Sequence, residues 1–180
     1  TKIFLTLFRH LSWIGLYSVA LFLSACDLPQ PPPDLFYKFD VIPVGKGPAH
    51  LLTADLNLDG ELDLVSTNAK NSSLTLLFGK GDGSFHAGST IKVAIEPTMS
   101  TVGDVNRDGI PDLVVNSRGS ERFLVFLGKG NSKFMRPLAT KTGKVPLNII
   151  LGDYNEDGNL DVAVTLTFDQ MELYLGSGDG

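Results

Sequence analysis

Cysteine is nearly absent from this sequence, with Cys26 the only one in 180 residues. A lone thiol cannot close an intrachain disulfide, so burial and hydrogen bonding must hold the fold. Histidine is scarce too: only His50 and His86 lie beyond residue 10. No Ser-His-Asp order, phosphate-cradling loop or zinc-type cluster accompanies them. They read as surface or loop residues. Positive charge is also in deficit. Lys2 and Arg9 are the only charges before Cys26, so 13 basic and 20 acidic side chains follow it, a net charge of −7. That balance excludes the broad basic surface that nucleic acid requires.

What is present points to an all-β protein. The 43% of apolar residues can build a core, and the 19 glycines and 10 prolines separate many short Val, Ile, Leu and Thr runs. The amino terminus stands apart. Lys2, Arg9 and His10 precede an apolar stretch from Leu11 to Leu23 that ends Leu23-Ser24-Ala25-Cys26. The stretch is short for a membrane span and closes on small residues, so residues 1–25 read as a signal peptide. Leu-Ser-Ala-Cys resembles the lipobox of bacterial lipoproteins. That resemblance implies a lipid on Cys26, a membrane partner, and a place in the bacterial cell envelope on the periplasmic or cell-surface side. Asp27 resembles the inner-membrane retention signal of some such proteins. Residues 26–40 form a tether, in which Pro29, Pro31, Pro32 and Pro33 predict an extended spacer of about 3 Å per residue.

Beyond the tether the chain repeats. Asp55-Leu-Asn-Leu-Asp-Gly-Glu-Leu-Asp63 recurs as Asp104-Val-Asn-Arg-Asp-Gly-Ile-Pro-Asp112 and Asp153-Tyr-Asn-Glu-Asp-Gly-Asn-Leu-Asp161, at intervals of 49 residues. Pro48, Pro97 and Pro146 keep the interval, as do Gly79-Lys80-Gly81 with Gly128-Lys129-Gly130, and Phe85 with Phe134. Each period predicts four short strands, in the first repeat Ala49 to Ala54, Leu62 to Asn68, Leu74 to Phe78 and Phe85 to Lys92. Four strands in such a period are the size of a propeller blade.

The acidic loop, with Phe78-Gly-Lys-Gly-Asp-Gly-Ser-Phe85 and Leu127-Gly-Lys-Gly-Asn-Ser-Lys-Phe134 downstream, resembles the FG-GAP/VCBS repeat from about residue 41 onward. The resemblance implies an integrin-α-like β-propeller, usually seven-bladed, with calcium in the loop between the first two strands of a blade. Three periods fall short of seven, and the third stops before its fourth strand. The expectation is therefore a fragment of a longer protein, with blades missing at the carboxyl end.

The loop chemistry suits calcium, which takes six to eight hard oxygen ligands. Asp55, Asn57 and Asp59 alternate their side chains inward, Gly60 allows the sharp turn, the Glu61 carbonyl can follow, and Asp63 returns as the ninth position. The equivalent sets are Asp104, Asn106, Asp108, the Ile110 carbonyl and Asp112, then Asp153, Asn155, Asp157, the Asn159 carbonyl and Asp161. One structural Ca2+ per loop is expected. An EF-hand would need glutamate at position twelve, where Ser66, Val115 and Val164 stand instead. The alternative for such loops is that Asp-Gly and Asn-x-Asp are simply turn formers.

With no catalytic set visible, the expected function is a non-catalytic module that binds a protein or carbohydrate ligand. The alternative is a scaffold for an envelope polysaccharide-degrading enzyme, and a third reading is assembly of a ring with another chain. Glu96, Glu121 and Glu172 read as solvated charges, and Lys80 and Lys129 as solubilising turn lysines.

Overall fold

A computed structural model describes residues 36, 38 and 40–179. The signal peptide at 1–25, Cys26 and the proline-rich stretch 27–34 lie outside the described residues. The chain divides into two units, Thr1–Ile42 and Pro43–Gly180. In the first, the Val41 N–H donates to Asp40 Oδ1 at 2.6 Å.

The second unit carries three antiparallel sheets. The first contains β1 (Pro48–Ala54), β2 (Asp63–Asn68), β3 (Ser73–Gly79) and β4 (Phe85–Lys92) in that spatial order. The next repeats the pattern with β5 (Pro97–Gly103), β6 (Asp112–Ser117), β7 (Arg122–Phe126) and β8 (Leu138–Lys141), with a 3-10 turn at Arg118–Ser120. The third has β9 (Pro146–Gly152), β10 (Asp161–Leu166) and β11 (Gln170–Tyr174). These are the expected blades, with first-repeat strand ends within a residue of those read from sequence. The first strands contact one another in succession, β1 with β5 and β5 with β9, as the inner strands of propeller blades do.

Period-two alternation explains why the middle blade is buried on both faces. Leu113, Val115, Leu124 and Phe126 point to the first blade, where they meet Leu56, Val65, Leu74 and Leu76. Val114 and Phe123 point the other way, to Ile149, Val162, Val164 and Leu166 of the third blade. Each buried Leu, Val, Ile or Phe contributes about 1.5–3 kcal/mol. The seams between blades therefore outweigh any contact within a single sheet.

The third blade presents a further face of the same kind. Ala163 pairs between Ile150 and Leu173, as Val114 does between Thr101 and Val125. Yet Ile150, Met171 and Leu173 are 53%, 66% and 49% exposed. Among the described residues nothing covers this face, and no fourth strand pairs with β11. The third blade is also one residue shorter. Its β10–β11 connection is only Thr167–Asp169, with Phe168 and Asp169 both at positive φ.

The two seams differ in a buried polar contact. Thr67 Oγ1 and Ser100 Oγ form a buried hydrogen bond of 2.8 Å across the first seam. The same interval puts Asn116 and Ile149 at those places in the second, and neither polar atom of the fully buried Asn116 amide has a partner among the protein atoms. Because an unpartnered buried amide costs about 1–3 kcal/mol, Asn116→Leu is expected to raise the urea unfolding midpoint, while Thr67→Val, which strands Ser100, should lower it. An Asn116→Leu variant less stable than the parent would contradict this account of the seam.

The histidines lie on the strands expected to contain them, His50 half-buried and His86 at the surface. His50, on β1, accepts the Ser100 N–H through Nδ1 at 3.4 Å, and burial lowers its pKa. His86, on β4, packs beside Phe78 with ring centroids 5.3 Å apart.

Candidate metal centre

All three acidic loops occupy the connection between the first two strands of a blade, and they share one conformation. The sixth-position glycines Gly60, Gly109 and Gly158 have φ of 90°, 79° and 85°. The fourth position is left-handed too, although Leu58, Arg107 and Glu156 share no side-chain chemistry, with φ of 62°, 61° and 60°. A left-handed L-residue costs about 1–2 kcal/mol. Three unrelated residues accept that cost, so the strain belongs to the loop and not to its side chains.

The loop is closed by its own acids. Asp55 accepts the N–H groups of Asp59 and Gly60 at 3.1 and 2.8 Å, Asp104 those of Asp108 and Gly109 at 3.0 and 2.8 Å, and Asp153 those of Asp157 and Gly158 at 3.1 and 2.8 Å. The fifth-position carboxylates Asp59, Asp108 and Asp157 each accept the N–H of the seventh residue, Glu61, Ile110 or Asn159, at 2.8 Å. Asn57, Asn106 and Asn155 donate Nδ2–H to the other oxygen of that carboxylate at 2.8, 2.9 and 2.8 Å. Donated backbone and then side-chain hydrogen bonds hold Asp59 and Asp157 below the ordinary carboxylate pKa.

The ninth-position carboxylates do something the sequence did not suggest. Asp63, Asp112 and Asp161 are fully buried and join two distant stretches of backbone. One oxygen accepts from the second loop residue, Leu56, Val105 or Tyr154, at 2.9 Å. The other accepts from the glycine at or beyond the end of the third strand, Gly79, Gly128 or Gly176, at 2.9, 2.7 and 2.8 Å. Burial pushes the Asp112 pKa up, its two N–H donors oppose that, and the charges of Asp108 and Asp104 add to the rise. The recurring glycine was the available signal for this hub, since it follows the ninth-position acid by 16 residues in the first two repeats and by 15 in the third.

With the side chains as they stand, no three Asp, Glu, His or Cys residues among the described residues converge closely enough to hold a metal ion. The donor set nevertheless fits a hard divalent cation. Each tight loop brings together carboxylates at positions one and five and an amide at position three, and the Asp104 and Asp108 charges are felt at Asp112. The ninth carboxylate has both oxygens on backbone N–H groups, which leaves further lone pairs but no freedom to swing.

The model for the FG-GAP-like repeat matches residues 55–115 and again residues 104–164. No curated protein matches the chain. Among solved structures, a crystal structure of BBS1N in complex with ARL6DN, soaked with lead, is 14% identical at a TM-score of 0.49, covering 75% of this chain and 42% of that one. The same complex soaked with mercury is 16% identical at a TM-score of 0.39, covering 76% of this chain and 52% of that one. This chain thus spans about half the length of those structures. With repeat matches running from Asp55 to Val164 and an acidic loop at the same junction of three blades, the chain belongs to the family of FG-GAP-like repeat proteins.

Proposed function

We propose that this chain is a calcium-binding, non-catalytic propeller module of a lipid-anchored envelope protein, serving interaction with a protein or carbohydrate. The observation that carries the metal reading is the identity of three loops. The same oxygen donors, the same left-handed positions and the same hydrogen bonds stand at one strand junction in each blade. Turn formation alone does not call for two carboxylates and an amide gathered in one tight loop in each of three motifs. Calcium would neutralise them and fix the junction. Binding requires the third-position amide to turn its oxygen inward, exchanging its hydrogen bond to the fifth carboxylate for a shared cation. The role is structural, so ligand recognition falls to the variable loops that the blades present. The leader and Cys26 support the envelope placement.

Equilibrium dialysis against millimolar calcium should find three ions per chain, and Asp108→Asn should reduce the count to two. A chain that takes up less than one ion, or an Asp108→Asn variant with unchanged uptake, contradicts the proposal.

A further inference from the structure

The chain is acidic overall, yet in one groove every charged residue is basic. It lies between the edge of the first blade, at Ser89–Lys92 of β4, and the β7–β8 connection of the second, and has a volume of about 650 Å³. Lys92, Lys129, Lys133 and Arg136 line it, no carboxylate does, and Ser89, Thr90 and Ser132 add hydroxyls. Phe126 and Phe134, which pack in the seam between these blades, also line it.

Comparison of the repeats shows that the groove is a departure from the blade pattern. Where the first repeat has Asp82-Gly83-Ser84, the second has Asn131-Ser132-Lys133, and Arg136 stands where Ala87 does. One acid is lost and two bases are gained at a single turn. In the first repeat Asp82 satisfies its own turn, accepting from the N–H and hydroxyl of Ser84 at 2.9 and 2.6 Å. Both turns close with the same backbone bond, Lys80 N–H to the Ser84 carbonyl at 3.1 Å and Lys129 N–H to the Lys133 carbonyl at 2.8 Å, but in the second the Lys133 N–H donates to the Gly130 carbonyl at 3.2 Å where Ser84 N–H has the Asp82 side chain.

Ser132 makes the groove more than a solvated basic face. It holds φ 53° where Gly83 holds φ 84°, a conformation easy for glycine and strained for serine. Its side chain is buried, at 8% exposure, and its hydroxyl has no hydrogen-bond partner among the protein atoms. A glycine would relieve the backbone and leave no orphaned hydroxyl. The residue present instead places an unsatisfied donor in a pocket of cations.

We propose that this groove is an oxyanion site, built for a tetrahedral dianion: free phosphate or sulfate, or a phosphate monoester. The Ser132 hydroxyl donates to one oxygen, the Arg136 guanidinium can take two in its planar fork, and Lys92, Lys129 and Lys133 neutralise the charge. Four cations around one site match a doubly charged tetrahedral group better than a single carboxylate. Both sources of that chemistry, a free inorganic anion and an esterified sugar, use the same contacts.

The test is a titration of the whole chain with inorganic phosphate, sodium sulfate and glucose 6-phosphate, followed by amide NMR shifts, with sodium chloride at matched ionic strength as control. Saturable shifts at residues 129–136 and 89–92 that chloride does not produce are expected. Tighter binding of glucose 6-phosphate identifies a sugar ester as the source, and tighter binding of inorganic phosphate or sulfate a free anion. The quadruple change Asn131→Asp, Ser132→Gly, Lys133→Ser and Arg136→Ala writes the first repeat's residues into the second, whose fold already accommodates them. It should weaken phosphate binding at least tenfold. Ser132→Gly alone should weaken binding severalfold while raising the melting midpoint in chloride, two opposite effects that a merely structural serine would not produce together. Shifts equal to those in chloride, or a quadruple variant that binds like the parent, overturn the proposal.

Discussion

Asp112→Ala is expected to destabilise the chelated protein by about 3–5 kcal/mol, read as a fall in the urea unfolding midpoint. The carboxylate accepts two backbone N–H groups, from Val105 and Gly128, in a fully buried position. Each hydrogen bond to a charged acceptor is worth about 1.5–3 kcal/mol, and alanine leaves both donors buried and unpaired. Asp112→Asn keeps one acceptor oxygen and turns an amide N–H toward the other donor, so its loss should fall between. The comparison with Asp108→Ala separates two roles that one motif mixes. Asp108 sits on the exposed part of the same loop, and its removal without calcium should cost about 1 kcal/mol or less. Equal losses at the two positions would mean that the ninth carboxylate is no structural hub.

Gly79→Ala should cost about 2–4 kcal/mol, through sterics instead of hydrogen-bond chemistry. A Cβ built at Gly79 meets the Leu62 carbonyl oxygen at 2.3 Å, and the equivalent glycines Gly128 and Gly176 meet Pro111 and Leu160 oxygens at 2.5 and 2.2 Å. These partners are backbone, so the end of the third strand must separate from the loop and pull Gly79 N–H away from Asp63. Gly60→Ala is the informative control. Its φ is 90° with nothing within 4 Å of the added carbon, so it should cost only the left-handed strain of about 1–2 kcal/mol. Because Gly79→Ala and Asp63→Ala damage one junction, the double variant should lose less than the sum of the two. Additive losses in that double-mutant cycle would refute the shared junction.

Those two residues also mark where sequence reading stopped. The strands were legible because alternation and turn glycines act locally. The acidic loops were placed at the right junction because the repeat interval locates them three times over. Asp63, however, reads as a ligand by its place in the motif, and only the fold shows that Gly79, sixteen residues on, occupies both its oxygens with Leu56. Gly79 likewise reads as a turn residue, since the Leu62 carbonyl that excludes any side chain there belongs to a neighbouring strand junction. Asn116 looks like an ordinary polar strand residue until the second seam sets it in the place of Thr67 with Ile149 in that of Ser100. Lys129 read as a solubilising turn lysine, because the Lys92 that shares its groove is on another blade. Each of these depends on which blade faces which, information that no local pattern carries.

The most direct test of the account is the melting midpoint of the chelated protein as calcium is returned. For sites of about 10⁻⁴ to 10⁻³ M affinity, 10 mM calcium should add about 1–3 kcal/mol per site by mass action. With three sites the midpoint should rise by about ten degrees or more, and magnesium at the same concentration should achieve much less. A midpoint that does not move at 10 mM calcium would contradict the central claim and leave the three loops as acidic turns.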